Sequence, residues 1–501
     1  MPKLINVDLT PEQYRLVERD SRVRIIRRSL DSRHRVRYHT TMEMYEDGET
    51  IPHPDYHSPY KDSRVGSPIV IVGAGPAGLF AALKALEYGM RPVIVERGKP
   101  VSERKRDIAL LTREHKVNSD SNWCFGEGGA GTYSDGKLYT RSTKRGNVSD
   151  VLKKFIEHGA EENILIDAHA HIGTDRLSPI ISSIRRTIEE YGGEYHFDTR
   201  VSDLIVTDNT VGGVVASDGS RYEGCAVILA TGHSAHDIYK LFARRGWLLQ
   251  AKPFAMGVRV EHPQELINEI QYHTRNYSPL LPPAAYSLTT QAEGHGVFSF
   301  CMCPGGIIVP ATTVSGRQVV NGMSNSKRNS PFANSGIAVT VGLDDVPEYA
   351  GYGEFALLKF QEDVECAMYA ATGRDAVAPI QTLTDFVEGN VTGRLNRSNY
   401  MGDVESVPLN ELLPDFVVRC LRQGFRDFDR KMHGFYTREA SVLAVESRTS
   451  SPVRIPRGDN YQHPQLRNLY PVGEGAGYAG GIVSSAMDGI NAVERLANTT
   501  V

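Results

Sequence analysis

Three patterns of hydrophobic positions recur along the chain. Short unbroken apolar runs occur at Ile69–Val72, Pro92–Val95, Leu469–Val472 and Ala226–Ala230, the last ending on Thr231-Gly232. Runs of this kind predict strands buried on both faces. Helical spacing predicts helices at Leu79–Tyr88, Ser102–His115, Ser178–Tyr191, Glu354–Thr372 and Ile482–Ala497. In the third of these, Ser178 reads as the N-cap, Pro179 as the first turn and Gly192-Gly193 as the stop. Shorter signals predict strands at Leu4–Val7, Val23–Ile26 and Arg35–Tyr45 around a helix at Pro11–Arg19. Tyr195–Val201, Leu204–Val206 and Val211–Ala216 read as a small meander. Val297–Gly306 reads as a strand running into a turn, and Arg394–Leu413 as a connection.

The segment from Pro68 to Arg97 organises the rest. Its strand runs straight into Gly73-Ala74-Gly75-Pro76-Ala77-Gly78 and then a helix that stops at Gly89. In a dinucleotide-binding turn the first glycine makes the bend and the second lets backbone approach a pyrophosphate. The third lets the helix pack against the strand. The pyrophosphate rests on the free N–H groups of the helix N-terminus. Glu96 lies 18 residues beyond Gly78 at the end of the next strand, placed to accept hydrogen bonds from an adenosine ribose. Two further glycine-rich stretches follow. Asn122–Leu138 carries five glycines in seventeen residues, including Gly126, Gly128, Gly129 and Gly131 around Ala130. Gly473-Glu474 to Gly480-Gly481 follows a strand and precedes the helix that begins at Ile482. Backbone without side chains at such places permits close approach of a ligand.

Length and composition limit the alternatives. A chain of 501 residues predicts about three domains. Hydrophobic residues make up 40% and charged residues 23%, as in ordinary globular proteins. The net charge of −4 gives no global attraction to nucleic acid or anionic membrane. No apolar run approaches the ~20 residues of a membrane span. Six scattered cysteines and an N-terminus without a signal-peptide core point to a cytoplasmic protein with free thiols. Cys301 and Cys303 read either as a redox pair or as two thiols packing a core, and packing is the expectation. No metal site is expected. Seven arginines in Arg22–Arg37 offer a basic patch for RNA or the solvated face of a strand, and the solvated face is the expectation. For proton transfer the candidates are His233, His236, Glu446 and Arg448.

Eight motifs in order, VGAGPAG (72–78), FGEGGAGTYSDGKL (125–138), HIGTDRL (171–177), ILATGHSAHD (228–237), FCMCPGG (300–306), VNGMSN (320–325), VESRTSSPVRI (445–455) and VGEGAGYAGGI (472–482), carry a resemblance. The chain resembles a bacterial family of uncharacterised FAD-dependent dehydrogenases of glutathione-reductase-type fold. The Glu96-Arg97 ending of the second strand is similar to that of FAD-binding members of that larger group. The resemblance implies bound FAD and a redox function, and no particular substrate. It implies that Gly126–Gly131 approaches the flavin ring and ribityl chain. It also implies that Glu474 bonds the ribityl hydroxyls and that the helix start at Gly481 faces the flavin. The expected fold class is α/β. A Rossmann-like FAD-binding domain is built from 65–250 and 441–501, with an inserted α+β substrate or cap domain at 251–440. Residues 1–64 form a small α+β appendage and linker. The expected partners are a small-molecule substrate and an electron donor or acceptor, with NAD(P)H as a candidate. A second glycine motif for a built-in NAD(P) domain is missing. The alternative reading is a flavin-bound RNA-interacting or tRNA-modifying protein.

Overall fold

A computed structural model describes residues 2–140 and 145–499. Its centre is a five-stranded parallel sheet in the order Leu469–Pro471, Val227–Leu229, Pro68–Val72, Arg91–Val95, Glu194–His196. The alternation in the first strand shows why it is apolar throughout. Ile69 and Ile71 face the helices Pro76–Tyr88, Thr174–Glu190 and Ile482–Thr499. Val70 and Val72 face the opposite layer. That layer is a meander of Val201–Thr207, Thr210–Ala216 and Arg221–Glu223. The expected first meander strand divides in two: Glu194–His196 joins the parallel sheet, and the meander begins at Val201.

Glycines set the closeness of these layers. A Cβ on Gly78 would lie 1.9 Å from the Gly73 carbonyl oxygen, and one on Gly489 would lie 2.0 Å from that of Ala77. The helix Ile482–Thr499 therefore packs backbone to backbone on Pro76–Tyr88, and the C-terminal segment is built into the sheet domain. The helix expected from Ser178 starts at Thr174, with Pro179 inside it. Its start is fixed by distant partners, because the Thr174 N–H donates to the Ser324 carbonyl at 3.0 Å and its hydroxyl to that of Thr132 at 2.9 Å.

A second, seven-stranded sheet runs Thr289–Ala292, His295–Cys303, Phe332–Val341, Phe254–Pro263, Ser441–Glu446, Val377–Thr382, Asp403–Ser406. Its pairings are antiparallel except the last. The helices Ala356–Thr372 and Asp415–Lys431 bury Leu357, Phe360, Leu421 and Phe425 against it. Ser441–Glu446, expected at the head of the closing segment, is hydrogen-bonded between two strands of this sheet. Lys3–Leu9, Val23–Asp31 and Arg37–Met44 form a third, antiparallel sheet, with the helix Pro11–Glu18 held by a Thr10–Gln13 capping box. Among the described residues no helix is long and apolar enough to cross a membrane.

Two measurements test this packing. Gly489→Ala should destabilise the protein by about 1–3 kcal/mol in urea unfolding, because the added methyl has no room between two backbones. Glu261 is buried in Phe254–Pro263, where both carboxylate oxygens accept the Asn399 N–H, at 3.1 and 3.2 Å. Burial pushes this carboxyl up to about 7. A raised folded value means that stability is greatest at low pH and is lost as pH rises through about 7. Between pH 5 and 8, Glu261→Gln should remove a decline on the order of 2–3 kcal/mol.

Candidate functional site

A cavity of about 1470 Å³ opens at the carboxyl ends of the parallel strands, the edge where open α/β sheets bind ligands. Gly73, at φ +105°, turns the chain out of the first strand. Gly75 then caps the helix with Pro76 in its first position, and a Cβ on Gly75 would meet nothing nearer than the Gly129 Cα at 3.8 Å. The start of the helix is thus bare towards the cavity, with Pro76 and Ala77 beside it. Gly78 points into the sheet, as its packing role requires. Glu96 is buried at the next strand end. Its carboxylate accepts N–H groups from Ala74 at 2.8 Å, Gly98 at 2.9 Å and Gly126 at 3.0 Å. It lines the cavity and also ties three loops together. Arg97 lies over the Phe125 ring at 4.0 Å and is paired with Asp120 and Asp237.

The second glycine stretch is wired in place. Arg104 is fully buried and donates to the carbonyls of Asn122, Glu127 and Trp123 at 2.7–2.9 Å. Gly126, Gly129, Ala130 and Gly131 line the cavity. Gly128, expected among them, faces away. Its positive φ of 80° aims a Cβ at Thr132 Oγ1, 2.1 Å away, and its N–H donates to the Ala74 carbonyl at 2.7 Å. The third stretch closes the wall. The Gly473 N–H donates to Asp488 at 2.7 Å, and Asp488 is paired with Arg457. Gly480 and Gly481 have nothing within 4 Å of a Cβ, and Ile482 begins the helix beside them. Thr231 and Gly232 line the same wall from Val227–Leu229. Glu474 also faces in. Burial and then the nearby Cys301 charge push its carboxyl up to about 7.

The four acid–base candidates separate. His233 and Arg448 line the cavity; His236 and Glu446 do not. Burial, with the Arg448 charge, lowers His233 to about 3, so its ring is neutral at pH 7. His236 is engaged with Glu362 at 3.0 Å. Glu446 pairs with the fully buried Arg259 at 2.7 Å, on the seven-stranded sheet. Arg448 pairs with Glu365 and donates to Ser234 and Thr313. Through that pair it ties the helix Ala356–Thr372 to the end of Val227–Leu229.

A second cluster falls outside these expectations. Asp135, Lys137, His171, Cys301 and Arg328 meet at the cavity. Arg328 holds Asp135 at 2.5 Å, and Lys137 donates to the Met302 carbonyl. Burial alone would raise the Asp135 carboxyl, but Arg328 and Lys137 hold it below its ordinary range. Burial, reinforced by Arg328, lowers His171. The motifs SDGK (134–137) and HIG (171–173) contain three of these residues. The signal was in the sequence, but nothing local joined the two motifs to residue 301. Cys303 is buried as expected; Cys301 lines the cavity.

The parallel sheet with three glycine segments around a bare helix start defines a mixed α/β protein built to hold a dinucleotide cofactor. A protein of Clostridium beijerinckii, described only as uncharacterised, is 41% identical over 431 residues, covering 85% of this chain and 80% of the relative. Residues 253–449 match the family described as "FAD-dependent protein, C-terminal domain-like". The chain belongs to this family, and FAD is its cofactor. Solved structures with weaker likeness include CtdE in complex with FAD (13% identity, 86% of this chain and 84% of that one, TM-score 0.34). Another is a geranylgeranyl bacteriochlorophyll reductase-like protein from Thermoplasma acidophilum (13%, 87% and 79%, TM-score 0.36).

The Arg448–Glu365 pair provides a test of the site's framework. Arg448→Met should cost about 3–5 kcal/mol in denaturant unfolding, because it takes the bidentate partner from a buried carboxylate, leaving it only Arg317 at 3.9 Å and the Ser447 hydroxyl. The double change with Glu365→Leu should recover most of that loss. A single-variant cost under about 1 kcal/mol would show that the charge is not held buried as described.

Proposed function

We propose that the protein is an FAD-dependent oxidoreductase of the glutathione-reductase-type arrangement, with FAD lying along the three glycine segments. In this reading the FAD-binding unit combines residues 65–250 with the closing strand–turn–helix, and the seven-stranded sheet covers the reacting end. The observation that carries it is the cavity's size combined with its asymmetry. Single-ligand pockets run about 300–1,000 Å³, and this cavity is about 1470 Å³. One wall is bare backbone at Gly75, Gly129, Gly480 and Gly481, and the rest is side chain. A cofactor on the backbone wall leaves room for a small second molecule beside it.

FAD supplies two-electron redox chemistry when bound. The chain's own groups position and insulate it. The helix start at Gly75–Ala77 presents N–H groups suited to a pyrophosphate. Glu96 fixes the spacing of the loops on either side of it. Glu474, with its carboxyl raised to about 7, can donate as well as accept towards ribityl hydroxyls. Neutral His233 and cationic Arg448 face the cavity at the end of Val227–Leu229. A hydride donor, either the substrate itself or NAD(P)H arriving transiently, enters the outer part. Of the seven arginines that motivate the RNA alternative, Arg22, Arg24, Arg28 and Arg33 are ion-paired with Asp or Glu.

Mass spectrometry of the released cofactor should find FAD, and FMN would defeat the reading. Gly75→Val should yield protein without FAD, since the side chain enters the space at the helix start. Glu474→Ala should weaken FAD by about 1–3 kcal/mol, the cost of lost hydrogen bonds, as read by isothermal titration into the apoprotein. Glu474→Gln should stay within about 1 kcal/mol of the parent, because it keeps a donor and an acceptor. Anaerobic bleaching by NADH or NADPH would identify the donor as a nicotinamide.

A further inference from the structure

The strand His295–Cys303 ends irregularly beside the cavity. Its register on Phe332–Val341 shifts between Phe300 and Cys303, and Cys301 takes φ +46°. A non-glycine residue in that region is strained and persists where its surroundings impose it. In a regular strand, residues two apart would lie side by side on one face. Here the bulge brings the two cysteines together. The Cys303 thiol donates to the Cys301 carbonyl oxygen at 3.2 Å.

The pair is asymmetric. Cys303 is fully buried, whereas Cys301 lines the cavity. Two cations flank it: Arg259 donates to the Cys301 carbonyl at 3.3 Å, and Lys137 to that of Met302. The hydrogen bond from Cys303, with these charges, holds the Cys301 thiol below its ordinary range, while Cys303 is held above. The Cys301 charge reaches Glu474, so the pair lies close to the third glycine stretch. Two thiols serving only to fill a core would need neither the strained residue nor the cavity-lining, cation-flanked position. An accessible thiolate backed by a second thiol is the arrangement for thiol–disulfide exchange.

We propose that Cys301 and Cys303 form a redox dithiol that reduces a small disulfide entering the cavity and is recharged by reduced FAD. The proposal rests on the FAD-dependent reading above. Cys301 Sγ attacks one sulfur of R–S–S–R′, breaking that bond and releasing R′S⁻, which takes up a proton. Cys303, losing its proton, attacks Cys301 Sγ, forms the internal disulfide and releases RS⁻, which is protonated in turn. Two thiols are oxidised and one substrate disulfide is reduced. The internal disulfide would return to the two thiols of Cys301 and Cys303 on taking up the two electrons and two protons that bound, reduced FAD would supply. A disulfide two residues apart closes a tight ring, which makes it readily reducible.

The test uses hydroxyethyl disulfide on FAD-loaded protein. After incubation and removal of the reagent, the parent should lose two titratable thiols, with the cross-link mapping to the peptide that contains residues 301 and 303. In anaerobic reductive titration it should take up one more electron pair per FAD than Cys301→Ser, which can form no disulfide at this place. Cys303→Ser should instead retain the hydroxyethylthio group on Cys301, and Cys301→Ser should do neither. FAD absorbance reports folding of each variant, and Cys303→Ala provides a second blocked form. Equal thiol counts before and after, with equal electron uptake in parent and variants, would overturn the proposal. The thiol count is also read on protein freed of flavin. Absence of FAD would therefore defeat the oxidoreductase reading, while an unchanged thiol count defeats the dithiol.

Discussion

The cofactor wall depends on one carboxylate. Glu96 accepts backbone N–H groups from three chain segments, the first glycine turn at Ala74, its own strand end at Gly98 and the second glycine stretch at Gly126. Glycine-rich loops lose more conformational entropy on ordering than other chain. A buried acceptor with three charge-assisted bonds offsets that loss where it is largest. Arg104 does the same from the other side by capturing three carbonyls. One buried anion collects donors and one buried cation collects acceptors, and the bare backbone between them is held ready for a ligand.

Two buried charge pairs hold the seven-stranded sheet together and join it to the cavity edge. Arg259–Glu446 holds neighbouring strands of the seven-stranded sheet, and Arg448–Glu365 ties the helix Ala356–Thr372 to the cavity edge of the parallel sheet. Breaking such a pair costs more than making it gains, because the remaining charge has no solvent. The first pair therefore fixes strand against strand, and the second fixes one sheet against the other, more than either adds stability. His233 and Cys301 sit on opposite sides of that junction.

What could be read from sequence divides along local and long-range physics. Gly73 and Gly78 have jobs set by their own backbone and the next turn of helix, and the structure shows that turn and that close packing, while Gly75 leaves the helix start bare. Gly128 looks like its neighbours in sequence. Its positive φ serves packing against Thr132, four residues on, and against Ile181 of the helix Thr174–Glu190. The Ser178-Pro179 signal was a sound local start, overridden because Thr174 finds partners at Thr132 and Ser324. Ser441–Glu446 could not be assigned to a sheet, since its partners begin almost 200 residues earlier. Cys301 was placed on a regular strand, and a bulge leaves no mark in a pattern of alternate residues.

The N-terminal sheet changes most in meaning. In sequence it is an appendage with a run of arginines. In the fold, Tyr14, Leu30 and Tyr38 line the far end of the cavity, opposite the glycine wall. Arg28 holds Asp167 by two bonds and also reaches the Tyr14 hydroxyl, which docks the sheet onto the segment before His171. Ser278 to Glu12 and His273 to the Ser32 carbonyl, each at 2.7 Å, add polar ties, and Leu30 and Val36 pack against the core of the seven-stranded sheet. Exposed polar contacts are screened by salt and individually weak, unlike the backbone-to-backbone packing beneath Gly489. The N-terminal sheet is therefore seated on the cavity by the partly buried Arg28–Asp167 pair and by apolar packing, with the surface contacts adding little.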